Sequence, residues 1–292
     1  MRARLIANPV AGTDEAPSRL REINERLRPR FGQLDIVLTT GPGDSREAAR
    51  DAASRGYDHL FVAGGDGTLN EAINGLAAVD SALDGMTLAI LPLGTGNDFA
   101  AALGLPDDPD AALDAIIRGT SRRVDLGRVN GRFFVNVSAG GFIADVSGSL
   151  EPGLKTLTGR LAFLIGGAKV LLRTEPFECR LDGRAHSCLM FAICNAPMIG
   201  GGRLIAPGAR PDDGILDACL IAAMDLLEFV ALLRRVAEGT HVTDERVTYF
   251  QTRGITLEFD RVLNVNTDGE VFEAQRCEYE VLPAATTFLG AP

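Results

Sequence analysis

The chain has 292 residues, enough for a sizeable core and for two domains rather than one. Its 46% hydrophobic and 23% charged residues describe an ordinary globular protein. A formal net charge of −10 excludes the basic footprint of a nucleic-acid binder, and it leaves only a local basic patch to attract an anionic membrane.

The first hundred residues alternate between two periodicities. "ARLIANP" and "QLDIVLTT" read as short strands, and "SRLREINERLRPRF" between them has apolar residues at helical spacing. "SREAARDAASRG" follows as a helix, with Ser45 expected as its N-cap and Gly56 just beyond its end. Then come a strand "HLFVA", a helix from Thr68, a strand "TLAILPL" and a helix over about 97–103. This order implies a parallel sheet with helices on both faces, whose ligands bind at the carboxyl ends of the strands.

Past Val124 the texture changes to β alternation broken by tight turns, such as Asn130-Gly131 and Asp182-Gly183. Two helical segments interrupt it, roughly 157–173 and 225–238. The expected fold is α/β in two domains. Residues 1–125 form the α/β unit, with 284–292 a candidate to rejoin it, and 126–283 form a mainly antiparallel β unit. Cys179, Cys188, Cys194, Cys219 and Cys277 lack CxxC spacing and mostly lie in apolar runs, so they read as reduced core residues. The opening "MRARLIANP" is not expected to be a signal peptide. The most apolar stretches are too short to span a bilayer or are interrupted by Lys169, Asp217, Asp225 and Glu228. A cytoplasmic protein is expected. The helix "TGRLAFLIGGAKVLLR" reads as core packing, with a membrane-facing role as the weaker alternative. His59, His186 and His241 share no metal spacing.

Two loops carry the chemistry. In "FVAGGDGTLNEA" a strand runs into Gly64, Gly65, Asp66 and Gly67 and a helix starts at once, so free N–H groups face an anion across a close backbone approach. Thr68 and Glu71 fit a capping box, a purely structural alternative to ligand contact. Asp66 would repel a phosphate unless Mg²⁺ lies between them, so it is read as touching a metal or its waters. The second loop, "LPLGTGNDFA", repeats the arrangement around Gly94, Thr95 and Gly96, with Asn97 or Asp98 as the expected N-cap. Neither GxxxxGK[ST] nor GxGxxG occurs, so phosphate binding here relies on backbone donors and Mg²⁺ without a loop lysine.

Together, "AGGDGTLNE" and "LPLGTGNDFA" resemble the diacylglycerol kinase catalytic domain of the bacterial soluble lipid kinases, a family related to sphingosine and ceramide kinases and more distantly to NAD kinases. "IANPVAG" resembles its first nucleotide loop, and "NAPMIGGGRLIAPGARPDDGILDACLI" the signature of its β-sandwich C-terminal domain. The resemblance implies ATP as co-substrate, with phosphates near Asn8, Pro9, Val10, Ala11 and Gly12 and again along Gly64, Gly65, Asp66, Gly67, Thr68, Leu69, Asn70 and Glu71. It also implies contact with Thr95, and places Thr40 on the adenosine side. A structural Mg²⁺ would sit on Asp213 and the carbonyls of Arg210 and Ile215, although turn chemistry alone accounts for "DDG". Glu270, in "NTDGEVF", looks like the general base, and Asp98 lies toward the acceptor hydroxyl. Asp125 helps organise the catalytic Mg²⁺, or else pairs with Arg122 or Arg123.

The implied acceptor is diacylglycerol, phosphatidylglycerol or a sphingoid or ceramide lipid. It would be met through transient contact with a membrane surface at the inner face. A homodimer is left open. The alternatives are an NAD kinase-like enzyme and a non-catalytic nucleotide-binding regulator.

Overall fold

The computed structural model describes residues 2–8, 16–32, 34–94, 96–141, 175–181 and 183–290, the side chains at 16 and 17 excepted. The expectations for Pro9, Val10, Ala11, Gly12 and Thr95, and for the helix over 157–173, fall outside the described residues.

Four strands form the N-terminal sheet: β1 (Ala3–Ala7), β2 (Leu34–Leu38), β3 (His59–Gly64) and β4 (Thr87–Pro92). They pair in parallel in the order β4-β3-β1-β2. β1 is buried along its whole length and β3 along nearly all of it, so both read as unbroken apolar runs rather than as alternations. Helix α1 (Ala16–Phe31) buries Ile23, Leu27 and Phe31 at four-residue spacing, and the Phe31 ring meets Phe61 edge-on at 5.0 Å.

Two helix starts differ from expectation. α2 (Asp44–Ser54) begins after Gly43 in the left-handed conformation, so Ser45 is not its cap; the Ser45 hydroxyl donates to the Thr68 carbonyl. α3 (Asp66–Leu76) begins after an extended Gly65, which puts Asp66 rather than Thr68 in the first turn. No side chain caps it, and the expected Thr68–Glu71 capping box does not form. Glu71 Oε1 instead accepts from the Gly43 N–H at 3.0 Å and ties α3 to α2. The short helix α4 (Ala82–Gly85) precedes β4, and α5 (Asp98–Ala102) and α6 (Pro109–Arg118) follow it.

The C-terminal part is strand-rich and antiparallel. β5 (Ser121–Val129) and β6 (Arg132–Phe134) are joined by Asn130 and Gly131, both at positive φ as a tight hairpin requires. β7 (Val137–Gly141), β8 (Phe177–Leu181), β9 (Arg184–Cys194) and a two-strand ribbon, β10 (Met198–Ile199) with β11 (Arg203–Leu204), come next. β12 (Leu216–Ala222) leads to α7 (Leu226–Glu238), where Asp225 and Glu228 make a complete capping box. β13 (Val247–Thr252), β14 (Gly254–Thr267) and β15 (Glu270–Leu289) complete the chain. All five cysteines are buried free thiols, three in a core with Phe134, Phe177 and Phe191.

The 20-residue strand β15 joins the two parts. Its start pairs antiparallel with β14, while Thr287 and Phe288 lie parallel to Thr87 and Leu88 of β4. A single 13-stranded sheet therefore runs through the described residues, and Glu270 stands at the head of the strand that links both parts. No helix among the described residues is long and apolar enough to cross a membrane.

Candidate active site

The carboxyl ends of the parallel strands converge. Asn8 N–H donates to the Ala63 carbonyl and Thr39 N–H to the Ala7 carbonyl, which brings the exits of β1 and β2 beside that of β3. Thr40, next along, donates both its N–H and its hydroxyl to Asp44, at 2.6 and 2.7 Å. The two glycine loops touch backbone to backbone. A β-carbon at Gly94 would lie 2.4 Å from Gly65 Cα, and one at Gly64 would lie 2.8 Å from the Thr68 side chain. Only glycine permits this approach. Leu69 and Asn70 are buried as whole residues, and the Leu69 N–H already donates to the Gly65 carbonyl, so neither offers a ligand contact.

A chain of carboxylates then ties three loops together. Asp66 accepts from the N–H groups of Asp98 (2.9 Å) and Phe99 (3.1 Å), so it caps α5 from another helix. Burial raises the Asp66 carboxyl above its ordinary range and the nearby Asp98 adds to this, while the two N–H groups oppose it. Asp98 is itself buried and accepts from Gly201 and Gly202 N–H, at 2.9 and 2.7 Å. Both of its oxygens thus hold the glycine loop between β10 and β11.

From the opposite side comes the turn between β14 and β15, with Asp268 and Gly269 both at positive φ. Asp268 is half-buried, and its carboxylate accepts from the backbone N–H groups of Val135, Asn136 and Val137. Burial pushes its carboxyl up to about 7, with the three N–H groups opposing and the charge of Asp66 adding to the rise. The turn rests on the first glycine loop: a β-carbon at Gly67 would lie 3.7 Å from the Asp268 carbonyl, and one at Gly269 would lie 4.0 Å from Gly67 Cα. Glu270, one residue on, meets Arg46 of α2 at 2.7 Å.

The Asp125 carboxylate is held by other partners. Its oxygens accept from the Gly214 and Ala284 N–H groups, each at 2.6 Å. The alternative pairing with Arg122 or Arg123 does not form: Arg122 donates to the Ala102 carbonyl and Arg123 pairs with Asp84. Asp213 accepts from Ile215 N–H at 3.0 Å, as a turn aspartate does, and burial together with Asp125 and Asp212 raises its carboxyl. A hard cation suits these donors. Asp213 keeps unshared oxygen lone pairs in a locally acidic setting, and the side-chain oxygens of Asn136 and Asn195 are buried with no partner. No group of three or more His, Cys, Asp or Glu among the described residues is arranged as a metal cage. Mg²⁺ does not need one, since it binds through one or two carboxylates and keeps its waters.

Sequence reasoning therefore named Asp66, Asp98, Asp125, Asp213 and Glu270 but missed Asp268, Asn136, Asn195 and Arg46. Asn136 and Asn195 left a signal, each being polar within an apolar run, "FFVNVSA" and "FAICNAP". Asp268 left none, because aspartate before glycine is ordinary hairpin chemistry. The histidines stand away from the site: His59 packs on Phe31, and His241 contacts the Ile205 carbonyl.

Comparison with known proteins places this arrangement. The profile described as "Diacylglycerol kinase catalytic domain" matches residues 2–129, and that of the "YegS C-terminal NAD kinase beta sandwich-like domain" matches residues 136–290. A protein named diacylglycerol kinase from Bacillus subtilis (strain 168) is 33% identical over 274 residues, which cover 92% of this chain and 89% of that protein. The chain belongs to the diacylglycerol kinase family.

Another relative of that name, from Staphylococcus carnosus (strain TM300), is 32% identical over 92% of this chain and 88% of its own length. Crystal structures agree. A diacylglycerol kinase from Bacillus anthracis str. Sterne superposes with a TM-score of 0.77 at 25% identity, covering 100% of this chain and 97% of that one. A further structure from the same strain reaches 0.83 at 27% identity, covering 100% and 95%. Family membership makes the chain a lipid kinase, a phosphotransferase with an alcohol acceptor, as its motifs led one to expect.

Proposed function

We propose that this lipid kinase moves the γ-phosphoryl group of ATP to the hydroxyl of diacylglycerol, with Glu270 as the general base. The observation that carries the reading is the convergence of the Asp268–Glu270 turn on Gly67, which sets a carboxylate beside the loop suited to phosphate. The names of the relatives support diacylglycerol as the acceptor. The hydroxyl oxygen forms a bond to the γ-phosphorus, and its proton passes to Glu270. The bond from that phosphorus to the β,γ-bridging oxygen breaks, its electron pair leaving on ADP.

The first-turn N–H groups of α3 cradle the phosphates. Asp98, by fixing the loop of Gly201 and Gly202, shapes the acceptor side. Mg²⁺, when bound, supplies charge neutralisation on the phosphates. Asp66 and Asp125 are the residues that would organise it and its waters. Asp213 and the carbonyls of Arg210 and Ile215 would hold a second, structural ion that stiffens the turn before β12. Transient contact with a membrane surface follows from an acceptor that resides there.

Labelled ATP, Mg²⁺ and a panel of diacylglycerol, phosphatidylglycerol, sphingosine and ceramide test the reading. Label in phosphatidic acid is expected. Label confined to another lipid would replace the acceptor, and label only in added NAD, or nowhere, would reject the assignment. Glu270→Gln should lose turnover and still bind nucleotide; normal turnover would reject the base.

A further inference from the structure

The ion pair between Arg46 and Glu270 is unexpected for a residue assigned as a base. Arg46 Nη2 lies 2.7 Å from Glu270 Oε1, and the side chains are 41% and 30% exposed. A pair so open to water adds little to stability. Arg46 also keeps its Nε atom buried with no acceptor. Such a donor is costly to leave unmade and would gain most from an anionic acceptor.

The surroundings identify that anion. Asp66, Asp98, Asp268 and Glu270 crowd the phosphate-binding end of the sheet, and no lysine stands among the described residues to balance a phosphate. Arg46 is also anchored on α3. Its carbonyl packs on Gly75 of α3 so closely that a β-carbon there would fall 2.2 Å away, and neighbouring Ser45 donates to the Thr68 carbonyl. The backbone of Arg46 is thus packed on the helix whose N-terminus faces the phosphates, while its guanidinium reaches the residue beside Gly269.

We propose that Arg46 is a catalytic arginine that leaves Glu270 for the γ-phosphoryl group when ATP binds. In the free enzyme its guanidinium holds the carboxylate in place. In the loaded enzyme it turns its planar donors to the transferring phosphoryl group, a form that guanidinium matches well, and frees the carboxylate to take the hydroxyl proton. The inference rests on Glu270 being the base.

Arg46→Met, which keeps the length of the side chain without its charge, and Arg46→Lys test it through kcat and through equilibrium binding of ATP and ADP. Loss of an arginine from a transferring phosphoryl group lowers kcat by about 10³-fold. Arg46→Met should show this, with ATP affinity falling about tenfold while ADP affinity stays within twofold (an expected order of magnitude for one charge-assisted contact). Arg46→Lys should recover part of both losses. Equal changes for ATP and ADP, or a kcat within threefold of wild type, would overturn the proposal. Unchanged circular dichroism and melting of both variants exclude misfolding as the cause. Glu270→Gln separates the two readings: if it turns over normally the base assignment fails, whereas if it is inactive and Arg46→Met is not, only the role of Arg46 fails.

Discussion

Gly94→Ala isolates the contact between the two glycine loops. The added β-carbon would stand 2.4 Å from Gly65 Cα and 2.9 Å from Gly65 N. Non-bonded carbons rest at about 3.5 Å, so the loops must part by about 1 Å. Both obstructing atoms are backbone, and no change of rotamer relieves them. Overpacking of this kind costs about 1–3 kcal/mol, and each kcal/mol lowers the Tm of a domain this large by about 2–4 °C. The loss in rate is greater, because a displacement of about 1 Å at a reacting centre lowers turnover about 100-fold. Purified Gly94→Ala, assayed with labelled ATP and diacylglycerol in mixed micelles, should therefore lose about 100-fold in kcat/KM while melting only several degrees lower. Gly85→Ala meets nothing within 4 Å and serves as the control, expected to match the wild type. A Gly94→Ala enzyme within twofold of wild type would refute the view that this contact sets the site.

Two further predictions concern the C-terminal part. The Asp244 side chain is 3% exposed and receives Arg246 Nε at 2.8 Å as well as Arg235. Hydrogen bonds from Arg246, chiefly, hold its carboxyl well below the usual range. Its stabilisation is therefore present above the ordinary carboxylate pKa of about 4 and is lost as pH falls below it. Asp244→Asn should cost about 2–3 kcal/mol near pH 7 and flatten the acid side of a urea-midpoint profile; an unchanged profile would contradict this. The cysteines give the other prediction. Burial pushes the Cys277 thiol up to about 11 and Cys219 up to about 12. Cys188, which a hydrogen bond with Cys179 lowers, is buried like the rest, so native protein at pH 8 should show no thiol open to Ellman's reagent. All five should react after unfolding in guanidinium, and rapid reaction in the native state would mean that this core opens.

Much of the fold was legible because its signals are local. Apolar runs in β1 and β3, spacing in α1 and the hairpin at Asn130-Gly131 follow from periodicity and turn chemistry within a few residues. The capping pattern at Thr68 and Glu71 misled for the converse reason. An extended Gly65 starts the helix earlier, and Gly43, 28 residues away, takes the glutamate. A box read from four residues has no knowledge of a competing donor on another helix.

The residue types of the site were determined by the sequence alone: glycines where strands end, carboxylates beside them, and a glutamate after a two-residue turn. Their partners were decided only by the tertiary structure. Asp66 caps α5, Asp98 holds Gly201 and Gly202, and Asp268 gathers three N–H groups more than 130 residues away. Glu270 reaches Arg46 across 224 residues. The physical reason is that a carboxylate states its charge in the sequence but not its donors. In such a site those donors are backbone N–H groups and a guanidinium, and for Asp98 and Glu270 they come from the other part of the chain, the two parts being joined by β15 in one sheet.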